Sequence, residues 1–90
     1  MPRDLKHSAT PRFWQCHRAL PDEVRALADA KYELLKSDPD HPSLNLKRIG
    51  SLWSVRVGLH YRALGRPVDG GIDWFWIGHH DEYDHLIGRP

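Results

Sequence analysis

Two arginines near the middle of the chain have the spacing of groups that could bind one phosphate together. Apolar residues occupy the odd positions from Trp53 to Ala63, while Arg56 and Arg62 both occupy even positions. Such alternation is typical of strands with one buried face. Guanidinium groups bind phosphate oxygens through a fork of N–H donors, and a nearby histidine can transfer a proton close to neutral pH. The pair therefore indicates a site for a phosphodiester.

A turn within this stretch would bring the two arginines side by side. The stretch is too long for one strand of a small domain, and Gly58 lies at its middle, so we expect a hairpin that turns at residues 58–60. A three-residue loop pairs Arg56 with Arg62 on one face, whereas a two-residue loop would bury Arg62 beside Val55 without a partner. Two cations on neighbouring strands repel unless an anion lies over them. This repulsion is the first indication of a function.

Further cations and histidines would extend the same patch. On the sheet face away from the helices we expect Lys47, with Arg48 as a second possibility, and His79 or His80 at the end of the last strand. His60, in the predicted turn, is a candidate general base. His41 is a second candidate base, although a simple loop residue is the plainer interpretation. The alternative for the whole patch is a solvated face whose cations keep the protein soluble.

For the remaining residues that could take part in chemistry, the sequence favours structural roles. His79 and His80 lie near several acids, but adjacent histidines at a strand end are expected to point to opposite sides, and no Cys pair or His-Glu-x-x-His motif is present. We therefore predict no metal site and no cofactor. Trp74 and Trp76 are two residues apart, which predicts a shared face and a place in the core. Tyr83 either packs on the sheet end or directs its hydroxyl to the phosphate site.

Composition describes an ordinary small globular protein. The 90 residues fit a single domain, residues 1–90, and the net charge of +1 does not by itself argue for nucleic acid. The single cysteine, Cys16, excludes an internal disulfide and fits a reducing cytosol, so we expect a cytoplasmic protein. No apolar run approaches the roughly 18 residues of a membrane span, and no signal peptide is recognisable.

The order of predicted elements is helix, helix and then a meander of strands. Thr10-Pro11 is an N-cap followed by a first helical residue, and Pro21-Asp22-Glu23 begins a second helix. Residues 1–9 are a weak strand or a loose arm, and Asp81 could cap a short final helical turn. Strands are expected at residues 44–49, on both sides of residues 58–60, and at residues 72–77. The fold class is therefore α+β, with two N-terminal helices on one face of an antiparallel sheet of about four strands.

Several segments resemble the RelE/ParE superfamily of bacterial toxins, from about Thr10 to Ile87. The most specific are the Tyr-Arg at residues 61–62 and the Gly-x-His at residues 78–80. The segments that carry the resemblance are Asp38-Pro-Asp-His-Pro-Ser-Leu44, Leu46-Lys-Arg-Ile-Gly50, Trp53-Ser-Val-Arg-Val-Gly-Leu-His-Tyr-Arg62 and Trp76-Ile-Gly-His-His80. The resemblance implies two N-terminal helices on an antiparallel sheet and neutralisation by a cognate antitoxin encoded beside the toxin.

The resemblance also implies roles for individual residues. RelE-like members cut mRNA without a metal, commonly on the ribosome, whereas ParE-like members inhibit DNA gyrase. Arg62 matches the arginine that stabilises the reacting phosphate, Arg56 matches a cationic position, and His80 matches the presumed general acid. Ser54 stands where RelE has a lysine, and Tyr83 lies a few residues early for the C-terminal tyrosine of RelE. Two hypotheses follow: an RNA-cleaving toxin, or a non-enzymatic ParE-like binder or interaction domain. A phosphate-binding module that does not cut is a third.

Overall fold

A five-stranded sheet organises the molecule, with helices on both of its faces. The computed structural model describes residues 5–88; Met1–Asp4, part of the predicted weak strand or arm, lie outside them. The elements are, in chain order, β1 (Lys6–Ala9), α1 (Pro11–Arg18), α2 (Asp22–Ser37), a 3-10 turn (Pro42–Leu44), β2 (Lys47–Ile49), β3 (Leu52–Val57), β4 (Tyr61–Val68), β5 (Gly71–His79) and α3 (His80–Leu86).

The α+β class and the two N-terminal helices are confirmed, while the description of the sheet needs correction. The strand order is β1-β5-β4-β3-β2, so there are five strands instead of about four. The sheet is also mixed, because β1 runs parallel to β5 with Lys6 opposite Gly71. β1 has only four residues, three of them polar, and its partner strand lies far along the chain. Local sequence pattern therefore does not reveal this pairing.

The two N-terminal helices begin where their capping residues predict. The Thr10 hydroxyl accepts a hydrogen bond from the Phe13 N–H, at 3.1 Å, and Pro11 is the first helical residue. α2 follows Pro21 and has two acids in its first turn, where they favour the helix dipole. Among the helices that the structure describes, none is both long and apolar enough to cross a membrane.

The register of the central hairpin is confirmed. β3 and β4 are joined by residues 58–60, with Val57 opposite Tyr61 and Arg56 opposite Arg62. Gly58 has a φ of 73°, in the left-handed region that favours glycine. A Cβ atom there would also lie 2.6 Å from a methyl carbon of Leu27 on α2. The turn is thus specified both by backbone conformation and by the helix packed against it.

Side chains on the two faces of the sheet form separate cores. The larger core joins α1 and α2 to one face, and the smaller joins α3 to the other through Leu64, Trp76 and Tyr83. A bulge between Leu64 and Gly65 shifts the register against β5, so that Leu64 faces Trp76 and Gly65 faces Trp74. The prediction that the two tryptophans share a face is therefore wrong: Trp74 belongs to the larger core and Trp76 to the smaller.

Stability should fall in mild acid because of His7 on β1. Its Nδ1 accepts a hydrogen bond from the indole Nε1–H of Trp74, at 3.1 Å. Burial and, second, the charge of Lys36 lower the pKa of this histidine below its usual value of about 6.5. The unfolded chain therefore takes up the proton more readily than the folded chain. Full stability is expected above about pH 6.5, with a loss as pH falls below that value.

Urea unfolding at pH 7.5 and pH 5.5 would measure this loss. His7→Gln retains an acceptor without titrating, so its midpoint should change less between the two pH values than that of the wild type. His85→Gln, at an exposed position of α3, is the matched control and should retain the wild-type difference. An unchanged pH dependence in His7→Gln would assign the acid sensitivity to another group.

Candidate functional site

The sheet face that carries α3 also carries the paired arginines, and we call it the arginine face. Arg56 and Arg62 lie directly opposite each other, and Arg62 is opposite Gly78 of β5. Lys47 on the edge strand is opposite Ser54, which places its side chain on this same face. Within residues 5–88, neither Arg56 nor Arg62 forms an ion pair with an acid. The face therefore holds positive charge that an external anion could neutralise.

Arg62 is the better fixed of the two arginines. Its Nη1 donates to the carbonyl oxygens of Tyr61 at 2.8 Å and Gly58 at 3.3 Å, which ties the guanidinium to the hairpin turn. Burial and then the charge of Arg56 lower the pKa of Arg62, while Tyr83 and Asp84 act in the opposite direction. An arginine remains charged at neutral pH even so. The lowered pKa thus reflects burial first and the neighbouring charge of Arg56 second, and a bound phosphate would offset the second of these.

Tyr83 has a buried position that its sequence match did not indicate. Only 6% of the residue is exposed, and its hydroxyl shares a 2.9 Å hydrogen bond with the hydroxyl of Ser54, itself 2% exposed. Tyr83 therefore packs on the sheet, the first of the two predicted alternatives, and it lies close enough to Arg62 to affect the pKa of that arginine. The hydrogen bond to Ser54 holds α3 against β3, and the catalytic role of Tyr83 stays a prediction.

Three imidazole rings gather where the hairpin turn, the end of β5 and the start of α3 meet, and we call His60, His79 and His80 the histidine cluster. Ring centroids are 4.5 Å apart between His79 and His80, 5.9 Å between His60 and His80, and 6.0 Å between His60 and His79. The backbone N–H of His80 donates to the carbonyl of His60 at 2.8 Å, which joins the hairpin turn to the start of α3.

This convergence overturns the argument that adjacent histidines must diverge. His79 is the last residue of β5 and His80 the first of α3, so the chain changes direction between them. The alternation of a strand does not apply across that junction. His79 also caps α3, with its Nδ1 accepting from the Asp81 N–H at 3.1 Å. The predicted cap at Asp81 is therefore wrong by two residues.

Helix spacing relates His80 to the arginine face. His80, Tyr83 and Asp84 are at positions i, i+3 and i+4 of α3, which lie on one side of a helix. Tyr83 on that side packs against the sheet, and His80 follows two residues after Gly78, the partner of Arg62. The sequence and topology therefore bring Arg56, Arg62 and His80 to the same side of the sheet.

Two other predicted binding residues lie elsewhere. Arg48 is opposite Trp53 and its guanidinium lies 5.2 Å from the centre of that ring, so it covers the larger core instead of joining the arginine face. His41 caps the 3-10 turn, where its Nδ1 accepts from the Ser43 N–H at 3.1 Å. That turn packs on the α2 side of the sheet, where Leu44 joins the larger core and Lys31 donates to Ser43, whereas the arginine pair lies on the other side. Neither residue is positioned to contact a phosphate at the arginine pair.

Two residues that were not predicted as site residues also make contacts in this region: Asp81 with the histidines, and Ser54 with Tyr83. The carboxylate oxygens of Asp81 lie 3.5 Å from Nδ1 of His79 and 3.4 Å from Nδ1 of His80. Ser54 is at an even position of β3, two residues before Arg56, and this parity was the available signal that it faces α3. Asp81 directly follows two histidines in the sequence, but this position alone does not predict that its carboxylate lies near both rings.

Comparison with known proteins supports a single family. A family model described as the ParE-like toxin domain matches residues 22–85. The RelB–RelE antitoxin–toxin complex from Methanococcus jannaschii is similar in structure, with a TM-score of 0.69 at 18% identity over 88% of this chain and 98% of that chain. No curated protein matches the chain in a sequence comparison.

Two further solved structures agree with this fold. The isolated Escherichia coli RelE toxin gives a TM-score of 0.61 at 15% identity, over 92% of this chain and 98% of that chain. The RelBE2 toxin–antitoxin complex from Mycobacterium tuberculosis gives 0.58 at 23% identity, over 84% and 91%. At these identities the structural likeness establishes the fold alone.

Proposed function

This chain belongs to the ParE-like toxin domain family, within the RelE/ParE superfamily of toxins from toxin–antitoxin systems, and from that premise we propose that it is an endoribonuclease. The observation that carries the proposal is the pairing of Arg56 with Arg62 on a hairpin whose turn contains His60 of the histidine cluster. Within residues 5–88 these arginines form no ion pair with an acid, and the imidazoles supply ring nitrogens that can donate or accept a proton. Together these are the groups that a phosphodiester cleavage needs.

The proposed reaction is an internal transfer within the RNA. A ribose 2′-oxygen attacks the adjacent phosphorus, and the bond from phosphorus to the 5′-oxygen of the next nucleotide breaks. The products are a 2′,3′-cyclic phosphate and a free 5′-hydroxyl. Arg56 and Arg62 stabilise the charge that develops on the phosphoryl oxygens. His80 donates a proton to the leaving oxygen, and His60, whose ring lies 5.9 Å away, is our candidate to accept the 2′-hydroxyl proton.

RNA cleavage by the purified protein, in buffer containing EDTA, would test this proposal. A labelled RNA should yield fragments that end in 2′,3′-cyclic phosphate. His80→Ala should cleave about 10²- to 10⁴-fold more slowly, the range for loss of a positioned acid or base. His85→Ala, an exposed residue of the same helix, is the control and should cleave like the wild type. Equal rates in all three proteins would exclude His80 from the reaction.

A cognate antitoxin is the proposed partner. The similar structures from M. jannaschii and M. tuberculosis are complexes of a toxin with its antitoxin. By analogy, we propose that an antitoxin covers this chain and that acidic residues on it face Arg56 and Arg62. Such charge pairing would favour fast association and exclude RNA from the same surface.

A non-enzymatic ParE-like toxin is the second candidate, and the Ser54–Tyr83 contact favours it. Both hydroxyls are buried and hydrogen bonded to each other, so neither supplies a base at the arginine face. Induced expression in bacteria, followed by separate measurements of RNA decay and DNA damage, would distinguish the two functions. DNA damage with intact RNA would support a gyrase-binding toxin, whereas RNA decay without DNA damage would support the endoribonuclease.

A further inference from the structure

We propose that the histidine cluster is a binding site for a borderline divalent transition metal ion, with Zn²⁺ as the representative. His60, His79 and His80 each offer one ring nitrogen, and these nitrogens all lie within 4.8 Å of one another. Neutral imidazole is a good ligand for Zn²⁺, Co²⁺, Ni²⁺ and Cu²⁺, whereas Mg²⁺ and Ca²⁺ prefer oxygen. Three histidines would leave a fourth position for water.

The spacing requires only a small adjustment of side chains. With Zn–N bonds of about 2.0–2.1 Å, tetrahedral geometry places ligand nitrogens about 3.3 Å apart. The largest separation here, 4.8 Å, is about 1.5 Å longer. His60 and His79 are exposed and His80 is partly exposed, so rotation of the rings can close this distance without moving the backbone.

The backbone already holds the three ligands close together. Tyr61, next to His60, is paired with His79 between β4 and β5. The hydrogen bond from the His80 N–H to the His60 carbonyl fixes the hairpin turn to the first turn of α3. The ligands therefore come from three elements joined by backbone hydrogen bonds, and binding would order little additional chain.

Asp81 occupies the position of an outer carboxylate for two of the ligands. Its two oxygens lie 3.5 Å from Nδ1 of His79 and 3.4 Å from Nδ1 of His80. A carboxylate that accepts from Nδ1–H leaves the lone pair on Nε2, the arrangement common around metal-bound histidines. In the metal-free protein, Nδ1 of His79 instead accepts from the Asp81 N–H. Binding would thus exchange this helix cap for a hydrogen bond to the Asp81 carboxylate.

This metal would not be the catalyst of the RNA cleavage proposed above, and its binding does not depend on that activity. A metal bound through His80 would occupy the nitrogen lone pair that accepts and donates protons. RNA cleavage and metal binding are therefore separate proposals for the His80 imidazole. Metal binding can be measured without RNA, so either proposal can fail alone.

Titration of the full chain, with any affinity tag removed, would test the site. Calorimetry with Zn²⁺ at pH 7.5 should show one ion per chain, and Co²⁺ should give the intense visible absorption of a four-coordinate ion. His60→Ala and His79→Ala should each weaken binding by tenfold or more. Asp81→Asn should weaken it about 10- to 100-fold, as expected when an outer-sphere partner is lost.

His85→Ala is the control, since it removes a histidine from the same helix but outside the cluster. It should bind Zn²⁺ like the wild type, and circular dichroism should show that every variant is folded. Wild-type affinity in His60→Ala and His79→Ala would overturn the proposal. An equal loss in His85→Ala, or absence of one-to-one binding in the wild type, would also overturn it.

Discussion

Replacing Arg62 with alanine should reduce RNA cleavage by about 10²- to 10³-fold. This is the range for losing one hydrogen-bond donor to the charge that develops in the transition state. Arg62 is fixed over the hairpin turn through Nη1, and its partner Arg56 lies directly opposite. Its hydrogen bonds run to turn carbonyls, so the substitution removes both charge and support for the turn. Arg62→Lys separates these effects because lysine retains the charge but lacks the planar fork. It should recover only part of the lost rate.

Arg66→Ala is the matched control, since Arg66 lies on the same strand and is exposed, with its guanidinium 4.8 Å from the centre of the Phe75 ring. We expect cleavage within about threefold of the wild type. The substitution removes an exposed stacking contact, which costs about 0.5–1 kcal/mol of stability, and it removes no proposed contact to the transition state. Single-turnover rates on one RNA, with urea unfolding of each variant, provide the comparison. Wild-type cleavage by a folded Arg62→Ala protein would remove the arginine pair from the mechanism.

Replacing Trp76 with alanine should destabilise the protein by about 3–5 kcal/mol, the range for removal of a large aromatic residue from a core. Trp76 is 2% exposed and packs with Leu64 and Tyr83 in the core beneath α3. Its ring also lies over Gly78, where an added Cβ would be 2.6 Å from it. The free energy of unfolding of a small domain is about 5–15 kcal/mol. This one substitution should therefore remove a large part of it.

Trp14→Ala makes the same change on α1, where 44% of the tryptophan is exposed, and we expect a loss of less than about 1.5 kcal/mol, since about half of its contacts are with solvent. Urea unfolding followed by circular dichroism measures both. Because Trp76 supports α3, its loss should also reduce cleavage by displacing His80, whereas Trp14→Ala should not. Equal losses of stability in the two variants would contradict a distinct core under α3.

The sequence predicted those features that depend on neighbouring residues. The pairing of Arg56 with Arg62 followed from parity and from the cost of burying a charge. The cap at Thr10 and the start of a second helix at Pro21 followed from local chemistry. The bulge at Leu64 and Gly65 did not, because it depends on how β4 and β5 twist together. At this bulge β5 has one residue more than β4, so Trp76 packs in the smaller core while Trp74 packs in the larger.

The pairing of the arginines was predicted from the sequence, and His60 and His80 were site candidates, but the convergence of these two histidines with His79 was not predicted. Arg56 and Arg62 share one hairpin, so a single turn length specifies their geometry. The histidine cluster needs three elements, and the approach of His79 to His80 depends on the junction between a strand and a helix. The burial of Tyr83 against Ser54 likewise depends on where α3 docks. Such contacts between distant segments are not encoded in local periodicity.

During synthesis, β1 has to wait for its partner strand. Ser8 of β1 and Asp73 of β5, which are hydrogen bonded, are 65 residues apart, an interval of about 3 to 13 seconds at 5–20 residues per second. β4, β5 and α3, which complete the arginine face and the histidine cluster, also leave the ribosome after the two N-terminal helices. A newly made chain therefore passes several seconds without a finished site. An antitoxin present at that time would meet the toxin before it can act.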